Sequence, residues 1–159
     1  MKRFALFAAL AAALVAVFVP AFAAEEHSHG ASAPADAHAI TLDNGRRWQT
    51  DAALRTGMAE IRGALAKRHR EAAGGKMSAA EYAALGATIE KNVASIVANC
   101  KLPPEADRNL HVVVAQLVSA ADDLRGKSNA SPTEGFHKAV GAANLYGRYF
   151  DHPGWKPIA

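Results

Sequence analysis

The chain has 159 residues, half of them hydrophobic, with a formal net charge of +3 and a sequence pI near 9.2. Loss of Lys2 and Arg3 with a leader would lower that charge from +3 to +1, which argues against the massed basic surface that nucleic acid requires. The remaining length suits one domain with a real core, and the single cysteine, Cys100, excludes an internal disulfide.

Met1-Lys2-Arg3 places two positive charges ahead of an apolar run from Phe4 to Val19, too short and too rich in alanine to span a membrane comfortably. Ala21-Phe22-Ala23 has the Ala-x-Ala form that signal peptidase accepts, so residues 1–23 are expected to be a signal peptide. Cleavage after Ala23, or after Ala24, would deliver the chain to the bacterial periplasm. No second apolar stretch of spanning length follows, and no membrane attachment is expected after cleavage. Residues 24–46 read as a disordered His-bearing tail and a lead-in, because Ala24 to about Ala39 is built of Ala, Glu, His, Ser, Gly and Pro without apolar periodicity. Ile40 to Thr50 reads as extended, with a turn at Asp43-Asn44-Gly45 and Trp48 as an anchor on the body.

Residues 47–159 carry four helical patterns. The first runs from about Asp51 to Arg70, with Leu54, Met58, Ile61 and Leu65 on one apolar stripe; Arg62, Lys67, Arg68 and Arg70 favour the negative end of its dipole. Gly74-Gly75 ends it. The second opens on the capping box Ser78-Ala79-Ala80-Glu81, with Met77 and Tyr82 placed as a hydrophobic staple, and its stripe of Tyr82, Leu85, Ile89, Val93 and Ile96 predicts an inward Cys100. The third, from about Pro104 to Arg125, tolerates proline in its first turn and turns Leu110, Val114, Leu117, Ala121 and Leu124 inward. The fourth opens on a second capping box, Ser131-Pro132-Thr133-Glu134, buries Phe136, Val140, Ala143 and Phe150, and closes at Pro153-Gly154. Four such helices with short links predict an all-α, antiparallel up-down-up-down four-helix bundle.

In that topology Met58 and His111 share a level on diagonal helices, while Cys100 and His152 return to the same end, where Trp48 also brings in the tail. A thiolate, a thioether and imidazoles suit copper, above all Cu(I); thiolate and imidazole alone would suit zinc. The expected metal ligands are therefore Cys100, His111 and Met58, supplemented by His152 and by the tail histidines His27 and His29, with Asp107 one turn before His111 to fix its ring. Helical rise separates Cys100 from His111 by roughly 10 Å of depth unless the Pro103-Pro104 corner brings them together. In the tail, Glu25-Glu26-His27-Ser28-His29 offers a second set of metal donors, and a terminus beginning at Glu25 would make His27 the third residue of a square-planar Cu(II) site.

Other motifs fall away. Glu134-Gly135-Phe136-His137 matches one Glu-x-x-His of a di-iron bundle, but that chemistry needs two such pairs, and Glu134 serves its helix cap. No Cys-x-x-Cys-His, Gly-rich phosphate loop or supported nucleophile-base pair occurs, so no enzyme is expected.

Leu54-Arg55-Thr56-Gly57-Met58, the stretch from Ile96 to Asp107 with Leu110-His111, and the stretch from Tyr146 to Trp155 together resemble a proteobacterial periplasmic family that often carries the automated label DnrO protein. The resemblance covers nearly the whole mature chain and implies a short bundle behind a His-bearing tail. A more distant likeness is to bundle cytochromes of the b562 and c-prime type, in which a methionine of the first helix binds haem iron; Met58 is the matching residue. The expected function is non-enzymatic periplasmic metal handling, with copper as the cofactor and a metal ion and a periplasmic metal-handling protein as partners. Two alternatives stand beside it: a b-type haem electron carrier with Met58 and His111 axial, and a ligand-free structural or adaptor bundle meeting a partner through Trp48, Trp155 or the thiol.

Overall fold

The protein is described from a computed structural model for residues 39–159; the expected signal peptide and the tail histidines His27, His29 and His38 lie outside the described residues. Four helices follow in chain order: α1 (Ala52–Ala73), α2 (Ala79–Asn99), α3 (Pro104–Leu124) and α4 (Pro132–Tyr149). Among the described residues there is no strand, only two isolated β-bridges, and no helix is long and apolar enough to cross a membrane.

Each start is fixed by local chemistry. Asp51 caps α1 by accepting from the Leu54 amide at 2.7 Å, while Ser78 with Glu81 and Ser131 with Glu134 form the two expected reciprocal capping boxes. Pro103 and Pro104 open α3 without a side-chain cap, at positions where a missing donor costs nothing.

Each helix packs antiparallel on its chain neighbour, and α1 closes the ring against α4. The two diagonals differ, for the α2 and α4 backbones approach each other closely while those of α1 and α3 do not, which makes the cross-section a rhombus. The shared core contains Leu54, Met58, Ile61, Leu65, Ile89, Ile96, Val113, Leu117, Leu124, Phe136, Tyr146 and Phe150, all buried to within 1% of complete. At roughly 1.5–3 kcal/mol for each large side chain, this burial is what the helices gain by associating.

Several boundaries differ from expectation. α1 continues to Ala73 rather than Arg70, and α4 stops at Tyr149, before Pro153-Gly154. The early stop has a cause: Phe150 turns extended, and the Trp48 and Asp151 amides bond the Tyr149 and Trp48 carbonyls, both at 2.8 Å, laying the lead-in beside the exit from α4. Val114 and Val140 are only half-buried, and the inward positions beside them belong to Val113 and Ala139. Cys100 is the C-cap residue of α2, extended at φ −71° and ψ 137°, and packs half-buried against the core from just beyond the last helical turn.

The lead-in is fastened to α3. Asn44 and Gly45 take the left-handed conformation at φ 49° and 82°, closing the expected turn between Asp43 and Arg46. The Thr41 amide donates to Asn109 Oδ1 at 2.7 Å, and the Trp48 indole donates to the Thr41 carbonyl at 2.6 Å. At the other terminus the chain folds back over α1 and α4: Asn144 clasps Ile158 through two hydrogen bonds, of 2.8 and 2.9 Å, and Arg62 bonds the Lys156 carbonyl. Gly147 makes that path possible, since a Cβ there would stand 2.1 Å from the Trp155 indole nitrogen.

Candidate functional site

The end of the bundle that holds Cys100 is assembled from three stretches of chain: residues 48–51, the α2–α3 corner and the exit from α4. Asp51 joins the first two. Besides capping α1, its carboxylate accepts from the Lys101 amide at 2.6 Å and stands close to the Cys100 thiol. Burial alone would raise its pKa, but the Leu54 and Lys101 amides, the thiol and the Arg55 charge together outweigh burial and hold it below the usual carboxylate range. The thiol answers in the opposite sense. Burial, then the charge and hydrogen bond of Asp51, then the charge of Asp107 push the Cys100 pKa up to about 12.

Antiparallel packing of α2 on α3 sets Cys100 beside the first turns of α3. Cys100, Asp107 and His111 line one cleft of about 250 Å³ floored by Ile96, Leu110 and Val114. Asp107 orients the ring as expected, chiefly through its backbone. His111 Nδ1 lies 2.9 Å from the Asp107 carbonyl oxygen and 3.5 Å from its carboxylate. A carbonyl can only accept, so Nδ1 carries the hydrogen, and in the neutral ring Nε2 keeps its lone pair. The ring is 72% exposed, which leaves that nitrogen accessible.

The other expected ligands are elsewhere. Met58 is wholly buried in the core on α1 and does not line the cleft that holds Cys100 and His111. His152 stands 3.0 Å from the Tyr146 hydroxyl through Nδ1 and packs against Trp155 with ring centroids 4.9 Å apart. Burial and then the Arg55 charge depress its pKa against the pull of Asp151. His27 and His29 lie outside the described residues. Among the described residues no three His, Cys, Asp or Glu side chains gather where they could hold one ion.

Two contributors carry little signal in the sequence. Tyr146 is fully buried beneath His152 and Trp155, stacked on Phe150 at 5.2 Å, and its pKa is raised by burial before the opposing charge of Arg55 and the added charges of Cys100, Asp51 and Asp151. Its four-residue spacing from Phe150 was the available clue. Asp51 reads in the sequence as the start of a helix and nothing more; its second bond, to Lys101, spans 50 residues. Compared with protein-family models, characterised proteins and solved structures, the chain matches none of them.

Proposed function

We propose that this chain is an exported, non-enzymatic metal-handling bundle that takes a thiophilic ion, Cu(I) first among them, between Cys100 and His111. The observation that carries this reading is the shared cleft, in which the sulfur and an imidazole fixed through Nδ1 both face the same space. A ligating histidine ordinarily gives its second ring nitrogen to a carbonyl or carboxylate, and His111 is held in that way by Asp107. Soft sulfur and borderline imidazole together select Cu(I), while a thiol whose pKa stands near 12 yields its proton only to an ion that bonds sulfur strongly. Export through the expected leader supports the same reading by placing the lone thiol outside the reducing cytosol.

The test is a Cu(I) titration against a competing chelator, using the exported protein and its Cys100→Ser and His111→Ala forms. One site should be found in the parent, lost on Cys100→Ser and weakened at least about tenfold on His111→Ala, roughly 1.4 kcal/mol of binding. An affinity unchanged by Cys100→Ser would remove the proposal.

A further inference from the structure

Residues 152–159 lie as a strap over α1 and α4, and its two halves are fastened differently. In the far half Asn144 bonds both the amide and the carbonyl of Ile158, and Arg62 donates to the Lys156 carbonyl. Between His152 and Trp155 the one side-chain hydrogen bond among the described residues joins His152 Nδ1 to the Tyr146 hydroxyl, 3.0 Å apart. Trp155 is held by packing alone, its ring centroid 4.8 Å from that of Tyr146 and 4.9 Å from that of His152, and its indole N–H is buried without an acceptor. Tyr146 is itself fully buried, and its hydroxyl has a place for its hydrogen only while Nδ1 is bare, so the neutral His152 ring carries its own hydrogen on Nε2. Protonation puts a hydrogen on Nδ1. The bond must then reverse, the imidazolium donating to the phenolic oxygen and the hydroxyl hydrogen losing its acceptor in the interior.

We propose that His152 is a proton-operated latch on the strap: the neutral ring, bonded by Tyr146, keeps Trp155 seated over Gly147, and the charged ring releases it. The surrounding charges act in the same sense. From α1, Arg55 opposes a charge on His152 and Arg62 sets a second cation 5.9 Å from the Trp155 ring, while Asp151 beside His152 pulls the other way. From α4, Tyr146 stays neutral, and the Asp51 and Cys100 charges act on Tyr146 rather than on the imidazole. Burial first, then Arg55, outweigh Asp151 and hold the His152 pKa below its ordinary 6.5. Once released, His152 stands in water with that ordinary value, so closure is strongest above about pH 6.5 and weakens as pH falls from there toward the closed-state value. Release also lets the indole N–H bond to water, which favours the open form. The Asn144 clasp keeps the far half attached, so opening uncovers Tyr146 and the notch at Gly147 while the bundle stands. His152 does not line the Cys100–His111 cleft, and the latch stands independently of the copper reading.

Nuclear magnetic resonance of the exported protein between pH 8 and pH 5, without added metal, tests this. The His152 ring should titrate below pH 6.5. Over the same range the protection of the Trp155 indole N–H against hydrogen exchange, corrected for its intrinsic pH dependence, should fall more than about threefold while the Leu117 amide keeps its protection. His152→Gln is neutral at every pH and should abolish the fall. Tyr146→Phe removes the donor that favours the neutral ring, so His152 should titrate at a higher pH than in the parent. Protection of the Leu117 amide shows that each variant folds, and His152→Gln, at a half-buried position, decides the matter even if Tyr146→Phe does not fold. A parent His152 that titrates at or above pH 6.5, a Trp155 protection indifferent to pH, or the same fall in His152→Gln overturns the proposal.

Discussion

The Asp51 carboxylate answers to three groups, the Leu54 amide, the Lys101 amide and the Cys100 thiol, and so couples the start of α1 to the end of α2. Asp51→Ala should cost about 1–2 kcal/mol, the upper range for a lost helix cap, because a second amide loses its acceptor with the first. Thermal melting measures that loss. The same substitution removes a negative charge and an acceptor from the thiol, so it should speed alkylation of Cys100. With the parent thiol near 12, its reaction with iodoacetamide at neutral pH should be far slower than that of an ordinary cysteine and should keep rising through alkaline pH. A parent rate that levels off near pH 9, typical of an unperturbed thiol, would contradict the role assigned to burial and Asp51.

At the level of elements, the junction of α3 and α4 depends on a nearly buried charge. Asp123, 2% exposed, receives Lys138 Nζ and the Ser128 hydroxyl, the latter at 2.6 Å. Those bonds, Lys138 first and Ser128 second, outweigh burial and hold its pKa below the usual carboxylate value. A depressed carboxylate stabilises the fold fully above its unfolded pKa of about 3.9, and the contribution is lost as pH falls toward the folded value. Asp123→Asn should therefore melt earlier than the parent at neutral pH, and the difference should shrink on acidification below about pH 4. Melting curves across that range decide it.

The elements were legible where short-range chemistry sets them. Both capping boxes, the proline openings of α3 and α4, the Asp43–Arg46 turn and most core stripes could be read from adjacent residues, since each depends on spacings of a few positions. What escaped depends on distant partners. Asp123 reads as a polar break in α3 until Lys138 is placed beside it, and the end of α4 cannot be located without Trp48. Within the site, the cleft that Cys100 shares with α3 depends on how two helices pack, whereas the Asp107–His111 relation, four residues apart on one helix, was readable directly.

For the whole molecule, the rhombic section puts α1 and α3 at the far corners and leaves the α2–α3 face with its exposed valines. The parallel bridge between Trp48 and Phe150 means that the polypeptide arrives at the bundle and departs from it along adjacent tracks. The circuit is nearly a ring, and its order of synthesis should be dispensable. A permuted gene whose new ends lie at the exposed Gly74-Gly75 link, with a flexible linker joining Ala159 to the residues before Trp48, should yield the same helical content and a cooperative melt. A permutant that stays unfolded would mean that the old termini must be loose ends for the bundle to form.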